Sequence, residues 1–156
     1  MLEFDDDYWM QKAMAMAEKA REIGEVPVGA VIVKNNEIIG SGYNQVIINN
    51  DPTAHAEVQA IRNAGTQLSN YRLVDTKLYI TLEPCMMCVG AIVHARITQV
   101  IFGAYDPKTG MAGTQDNCFE KSYHNHQVET KGGILEKECS HQLTSFFKQK
   151  RLRKNL

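Results

Sequence analysis

Two short stretches decide the fold and the chemistry of this chain: His55-Ala56-Glu57 and Pro84-Cys85-Met86-Met87-Cys88, each at the start of a predicted helix. Cys85 and Cys88 lie one helical turn apart, so both sulfurs can point to the same side. A helix N-terminus favours thiolates, because its dipole and free N–H groups stabilise negative charge. His55 supplies a third ligand, and three protein ligands with an open fourth position are typical of a catalytic zinc site.

Glu57 is the predicted proton carrier of this site. Two thiolates and a neutral imidazole leave a Zn²⁺ site formally neutral, so its bound water needs a base to deprotonate it. Glu57 lies two residues after His55, and residues with that spacing do not share a helix face. The two side chains therefore converge only if the site lies over the N-terminal end of the helix.

A single Cys-x-x-Cys pair is also typical of redox-active proteins and of structural zinc knuckles. The sequence has no second Cys-x-x-Cys and no His-x-x-x-His motif to complete a structural site. A thioredoxin-like role does not require the His-Ala-Glu stretch. Cys118 and Cys139 have no evident partner in the sequence, and we interpret them as free cysteines. These observations favour a catalytic metal site.

Composition limits the class of protein. The chain has 156 residues, of which 44% are apolar and 22% charged, which is typical of one soluble globular domain and excludes collagen, coiled coils, disordered tails and membrane proteins. Its start is acidic where a signal peptide is basic, and no apolar run approaches the roughly 18 residues of a membrane span. Four cysteines are too few for a disulfide scaffold, so we expect a cytoplasmic protein.

The charge is unevenly distributed along the chain. The net charge is −1 and the pI about 6.5, which by itself does not indicate a nucleic-acid partner. These values average an acidic start at residues 3–7 and a basic end at residues 148–154. The segment from Phe146 to Lys154 combines aromatic and basic residues, a pattern that favours contacts to single-stranded RNA. The alternative is an ordinary amphipathic helix whose last charges offset the helix dipole.

The hydrophobic pattern predicts helices and strands in the order α-β-β-α-β-α-β-β-α. The first helix follows the acidic residues 5–7 and stops at Gly24; later helices cover about 52–64, 84–96 and 135–150. Strands are predicted over 28–33, 37–43, 77–82 and 99–103, with a short one at 128–131. Asn35-Asn36 predicts a hairpin turn. The third helix is apolar on nearly all sides, so it is either fully buried or packs against a second subunit. Helices alternating with short strands indicate one central sheet covered on both faces.

The two opening stretches resemble the His-x-Glu and Pro-Cys-x-x-Cys signature of zinc-dependent nucleobase deaminases. Beyond them, the sequence resembles the bacterial tRNA adenosine deaminase family from about residue 8 to residue 151. The matching stretches are Glu25-Val26-Pro27-Val28-Gly29-Ala30, Asn44, Asp51-Pro52-Thr53-Ala54-His55-Ala56-Glu57, Asn70-Tyr71-Arg72-Leu73, Leu78-Tyr79-Ile80-Thr81-Leu82-Glu83-Pro84-Cys85-Met86-Met87-Cys88, Phe102-Gly103-Ala104-Tyr105-Asp106 and Asn125-His126.

The resemblance implies a cytidine-deaminase-like α/β fold, with three α/β/α layers around a central mixed five-stranded sheet. One zinc-dependent deaminase domain is expected over residues 1–156, its basic C-terminal helix end spanning about 146–156. The implied enzyme is a homodimeric hydrolase with one Zn²⁺ per subunit, and each active site is bordered by the partner chain. It converts adenosine to inosine at the wobble position of a tRNA anticodon loop and releases ammonia. Glu57 takes a proton from the attacking water and passes protons to N1 and to the departing amino group.

Six positions are expected to contact the RNA substrate, and they are Val28, Asn44, Asp106, Asn125, Phe147 and Arg151. By resemblance, Asn44 contacts the target nucleoside, Val28 forms part of the pocket wall, and Asp106 and Asn125 contact flanking nucleotides. From the residues alone, Asn44 also fits a strand end, Asp106 a turn and Asn125 a loop cap. The side chain of Glu83 is interpreted as structural.

Two other functions remain open from the sequence. A deaminase of free cytosine, cytidine or guanine shares the zinc site but does not need a basic, aromatic C-terminal segment. A non-catalytic, zinc-stabilised interaction module needs the ligands but not Glu57.

Overall fold

The computed structural model describes residues 3–154. Its helices are α1 (Asp6–Glu22), α2 (Ala56–Leu68), α3 (Met86–Ala95) and α4 (Glu136–Lys154), and its strands are β1 (Gly29–Lys34), β2 (Glu37–Tyr43), β3 (Lys77–Leu82), β4 (Gln99–Ala104) and β5 (Glu129–Lys131). Residues 1–2 and 155–156, at the two ends of the predicted domain, lie outside the described residues. No helix within residues 3–154 is both long and apolar enough to cross a membrane.

The five strands form one mixed sheet in the order β2-β1-β3-β4-β5. β1 pairs antiparallel with β2 and β3, whereas β4 pairs parallel with both β3 and β5. The predicted mixed five-stranded sheet is therefore confirmed. Because successive side chains of a strand point to opposite sides, each central strand contributes side chains to the core on both faces of the sheet. In β1, Ala30 and Ile32 pack toward α2 and α3, while Val31 and Val33 pack toward α1 and α4.

The hairpin and the start of α1 follow their predicted local signals. Asn35 and Asn36 adopt φ of 52° and 61°, the left-handed conformation that a two-residue hairpin turn requires. At the start of α1, Asp5 caps the helix by accepting the Tyr8 N–H at 2.9 Å.

Asp6 ties α1 to the sheet. Its carboxylate accepts hydrogen bonds from the Tyr79 hydroxyl of β3 at 2.7 Å and from the Lys131 ammonium of β5 at 2.8 Å. Burial raises the pKa of Asp6, but the hydrogen bonds from Lys131 and Tyr79 outweigh it, so the pKa lies below its ordinary value. The helix and the two strands are thus held together through one ionised side chain.

The predicted start of α2 is wrong by about four residues, since the helix begins at Ala56 rather than near residue 52. The Asp51 carboxylate accepts both the backbone N–H and the hydroxyl of Thr53, at 2.9 and 2.7 Å. This local turn competes with helix formation, as short polar side chains commonly do. The helix also continues to Leu68, where Ser69 ends it in a left-handed conformation. α4 similarly continues beyond residue 150, to Lys154.

Strand direction brings several loops to one edge of the sheet. β2, β3 and β4 end at this edge and β1 begins there, because β1 runs opposite to its two neighbours and β4 runs parallel to β3. We call residues 44–55, after β2, the β2 loop, and residues 105–117, after β4, the β4 loop. α2 begins directly after the β2 loop and α3 shortly after β3. The N-termini of both helices therefore point to the same edge.

Candidate active site

A cavity of about 280 Å³ opens at this edge of the sheet. It is bordered by both loops and by the starts of α2 and α3. The sequence-predicted residues that line it are Val28, Asn44, His55, Glu57, Cys85 and Asp106. Residues from five separate stretches of the chain thus converge in one cavity.

Three potential zinc ligands meet at the cavity. His55 Nδ1 lies 3.7 Å from Cys85 Sγ and 3.6 Å from Cys88 Sγ, and all three ligand atoms lie within 4.8 Å of one another. A tetrahedral zinc ion with Zn–N near 2.0 Å and Zn–S near 2.3 Å requires an N···S separation of about 3.5 Å. The nitrogen–sulfur distances therefore fit one Zn²⁺ ion.

His55 and Glu57 reach the same cavity because of where α2 begins. His55 is the N-cap residue, with an extended backbone (φ −74°, ψ 156°), and the helix starts at Ala56. The ordinary i, i+2 separation on a helix face does not apply to a residue outside the helix. Glu57 is 3% exposed, yet it borders the cavity beside His55.

Hydrogen bonds among the three potential ligands shift their pKa values. The Cys88 thiol donates to Cys85, and this hydrogen bond lowers the pKa of Cys85 to about 4, aided by His55. The same hydrogen bond and burial raise the pKa of Cys88, and the hydrogen bond with Cys85 raises the pKa of His55. Cys85 is accordingly a thiolate near neutral pH, the form that binds zinc.

Burial dominates the electrostatics of Glu57. Desolvation raises the pKa of its carboxyl to about 7, because a buried carboxylate loses the water that stabilises its charge. A carboxyl group that titrates near neutral pH is suited to both accepting and donating a proton.

Asn44 is held by the start of α2. Its side-chain oxygen accepts the backbone N–H of Ala56 at 2.9 Å, which satisfies one of the free N–H groups of the helix terminus. With the oxygen turned to the helix, the amide NH₂ is the group offered to the cavity. Such a donor can recognise an acceptor nitrogen or oxygen of a nucleoside.

Asp106 is both a cavity residue and a turn residue. Its carboxylate accepts the backbone N–H groups of Lys108 and Thr109 at 3.0 and 3.2 Å, so the turn that the sequence offered as an alternative is present. Val28 makes no such turn: its side chain is 5% exposed and forms part of the apolar wall of the cavity.

The structure does not bring the other three predicted RNA contacts to this cavity. Asn125 lines a second cavity, together with His94 and Tyr123, beside the outer side of α3. Phe147 is 41% exposed, and Arg151 is also exposed, both on α4. Neither of these two α4 residues lines the catalytic cavity.

Several cavity residues have no functional role in the sequence analysis, and two of them are buried glutamates. Glu25 and Glu83 are each 2% exposed and border the cavity. Glu25 had no assigned role, although it opens the matching stretch that precedes β1. Glu83 was interpreted as structural. No local signal in the sequence marks either glutamate as buried, since charged side chains are rarely fully buried unless they are paired, and their partners lie far away in the chain.

Comparison with known proteins agrees with this geometry. A family model for MafB19-like deaminases matches residues 4–151, and the fold and site define a hydrolytic deaminase. The tRNA-specific adenosine deaminase of Haemophilus influenzae is 47% identical over 152 residues, which cover 97% of this chain and 88% of that protein. The chain belongs to the tRNA-specific adenosine deaminase family.

Two solved structures are also similar. One, from biochemical and structural studies of A-to-I editing by tRNA:A34 deaminases at the wobble position of transfer RNA, is 39% identical with a TM-score of 0.84, over 87% of this chain and 99% of that chain. The guanine deaminase of Bacillus subtilis is 38% identical with a TM-score of 0.64, over 81% of this chain and 83% of that chain. Structural similarity therefore extends to a deaminase of a free purine base.

Proposed function

We propose that this chain deaminates adenosine to inosine at the wobble position of a tRNA anticodon, with His55, Cys85 and Cys88 holding one Zn²⁺ and Glu57 moving the protons. The observation that carries the proposal is a cluster of three ligand atoms, two of whose residues border the same cavity as the buried Glu57. Membership of the tRNA-specific adenosine deaminase family supports the choice of substrate.

The donor set suits zinc and a catalytic site. Two sulfurs and one imidazole nitrogen are typical zinc ligands, and three protein ligands leave the fourth position open. When bound, Zn²⁺ lowers the pKa of a coordinated water and so supplies a nucleophile at neutral pH.

Glu57 performs the proton transfers at the base. Its carboxylate accepts a proton from the water whose oxygen adds to C6 of the adenine. The carboxyl then protonates N1. The carboxylate next takes the remaining proton of the oxygen on C6 and passes it to the exocyclic nitrogen, as the C6–N bond breaks and the C6 carbonyl forms. Adenosine and water thus give inosine and ammonia, and Glu57 returns to its starting state.

The remaining cavity residues bind and orient the nucleoside. The Asn44 amide offers a fixed donor beside the start of α2, and Val28 supplies an apolar surface. Asp106 borders the cavity from the β4 loop, where it can meet a nucleotide next to the target. The base enters this cavity only when it is unstacked from its neighbours in the loop.

We propose that α4 contacts the RNA outside the cavity. Phe147 is partly exposed and Arg151 lies one helical turn further along, so an aromatic ring and a cation occupy the same side of the helix. Aromatic stacking and phosphate contacts are the usual means of binding single-stranded RNA. A local basic segment of this kind is compatible with the net charge of −1.

The outer face of α3 supports a homodimer. Met86 and Met87 are 64% and 38% exposed, so the helix is not fully buried within one subunit and an apolar strip is available to a second copy. Asn125 borders a cavity on the same side of the chain. A partner packed on α3 would therefore lie beside Asn125.

We also propose that the protein acts in the cytoplasm. All four cysteines are free, and two of them must remain thiolates to hold the metal. Reducing compartments preserve such thiols.

A comparison of substrates tests the proposed function. The zinc-loaded protein is offered an anticodon stem-loop with a wobble adenosine, and in parallel free cytosine, cytidine and guanine. We expect inosine in the stem-loop and no turnover of the free compounds. Turnover of free guanine alone would overturn the proposal and favour the second candidate function, a deaminase of a free base. The similarity to the guanine deaminase structure is the reason for testing guanine.

A further inference from the structure

Two buried carboxylates lie at the same edge of the sheet, each beside one of the two loops that border the cavity. Glu25 precedes β1, which neighbours β2, and Glu83 follows β3, which neighbours β4. The β2 loop and the β4 loop therefore leave the sheet on opposite sides of the central pair of strands. Each loop meets the carboxylate that belongs to the adjacent central strand.

Glu25 holds the β2 loop. Its Oε1 accepts the backbone N–H of Ile47 at 3.1 Å, and its Oε2 accepts that of Ile48 at 2.8 Å. The side chains of these two isoleucines are 64% and 57% exposed, so apolar packing does little to fix this part of the loop. Backbone hydrogen bonds within the loop set the shape of its turn, and the carboxylate ties that turn to the segment before β1.

Glu83 holds the β4 loop through four hydrogen bonds. Its Oε1 accepts the Asp106 N–H at 3.0 Å and the Thr114 hydroxyl, and its Oε2 accepts the N–H groups of Ala112 and Thr114 at 3.0 and 3.1 Å. The loop passes so close to the carboxylate that a Cβ on Gly110 would lie 2.3 Å from Glu83 Oε1.

We propose that Glu25 and Glu83 are positioning residues that hold the two loop walls of the substrate pocket in the binding geometry. The proposal rests on the proposed function, since it takes the cavity as the site of the target adenosine. Neither carboxylate is a zinc ligand or the proton carrier. Their loss is expected to loosen the walls, weaken RNA binding and leave zinc in place.

Glutamine variants isolate this role, because they keep the side-chain shape and remove one acceptor oxygen. Each Glu83 oxygen accepts at least one backbone N–H, so either amide orientation in Glu83→Gln sets an NH₂ group against an N–H donor. In Glu25→Gln, one of two N–H groups loses its acceptor. We expect KM for the stem-loop to rise about tenfold or more, with kcat changed less than about threefold.

Thr114→Val is the milder second variant, because it removes only the hydroxyl donor to Glu83 and keeps the backbone N–H groups. Its effect is expected in the same direction as that of Glu83→Gln and to be smaller. Glu37→Gln is the matched control, since Glu37 is an exposed glutamate of β2.

Hydrogen–deuterium exchange on the zinc-loaded full chain separates a local clamp from a general structural role. We expect Glu83→Gln to accelerate exchange in the β4 loop alone and Glu25→Gln in the β2 loop alone, by about tenfold or more. Zinc content stays at the wild-type value in all variants.

Three results would overturn the proposal: unchanged exchange in the clamped loop, acceleration across the whole sheet with loss of zinc, or a fall in kcat with unchanged KM. If the wild-type protein does not deaminate the stem-loop, the proposed function fails instead. The exchange measurement still decides whether the two carboxylates hold the loops.

Discussion

Replacing Glu57 with glutamine is the most direct test of the proton-transfer role. Glutamine has nearly the same shape, but it can neither accept the proton of the attacking water nor return it to the base. This similarity of shape matters because Glu57 is only 3% exposed, and a larger side chain would not fit at a buried position. The three sulfur and nitrogen ligands are untouched, and we expect the variant to bind zinc.

The other carboxylates of the cavity determine how large the loss should be. They are Glu25, Glu83 and Asp106. Each one accepts backbone N–H groups of a loop, so none is placed to replace Glu57. General acid–base catalysis contributes about 10²–10⁴ in rate, and without a substitute base we expect kcat to fall by about 10³–10⁴, or roughly 4–5.5 kcal/mol of transition-state stabilisation.

Single-turnover deamination of the anticodon stem-loop measures this loss, with rates divided by the zinc content of each preparation so that metal loss cannot imitate it. Glu37→Gln serves as the control and should match the wild type. A zinc-loaded Glu57→Gln protein within about tenfold of the wild-type rate would refute the assignment, because that factor is too small for the main acid–base group.

Three further substitutions test the packing, the metal site and the pH dependence. Gly29→Ala places a Cβ 2.1 Å from a backbone oxygen of α1, so urea titration should show a free energy of unfolding lower by about 1–3 kcal/mol; Gly65→Ala within α2 is the control, expected to change it by about 1 kcal/mol in the opposite direction. Cys88→Ala should lower the zinc content well below the wild-type value together with activity, and a fully loaded variant would exclude Cys88 as a ligand. Despite burial, the two hydrogen bonds that Asp6 accepts from β3 and β5 hold its pKa below the ordinary value. The ionised Asp6 therefore stabilises the folded protein above about pH 4, and this contribution is lost as the pH falls through the pKa of Asp6 in the folded state. Asp6→Asn should thus be less stable than wild type at pH 7 and equal to it in acid, whereas a gap that persists in acid contradicts the assignment.

Local signals predicted most of the secondary structure. β3 was predicted with its observed bounds, and the Asn35-Asn36 turn follows from the left-handed conformation that asparagine tolerates. One of the errors falls where a side chain competes with the backbone. The α2 start was misplaced because the Asp51 carboxylate bonds to Thr53 and forms a turn of its own, which no hydrophobic periodicity reveals.

The chemistry of the metal site was also accessible to the sequence. Cys85 and Cys88 are brought together by one helical turn, a spacing that holds in any fold. His55 was joined to them by motif and resemblance, and its approach depends on α2 and α3 both starting at one edge of the sheet. Whether His55 and Glu57 converge depended on the first residue of α2, which only the structure supplied.

The sequence by itself determined most elements and predicted the ligand types and the proton carrier, because these follow from residue chemistry and from contacts between near neighbours in the chain. The tertiary structure alone decided which distant polar groups meet. Glu25 lies 22 and 23 residues from the amides that it binds, and Glu83 lies 23 to 31 residues from its partners. Those separations are closed by strand order and direction, which place the ends of β2, β3 and β4 at one edge, and no local pattern in the chain encodes that arrangement.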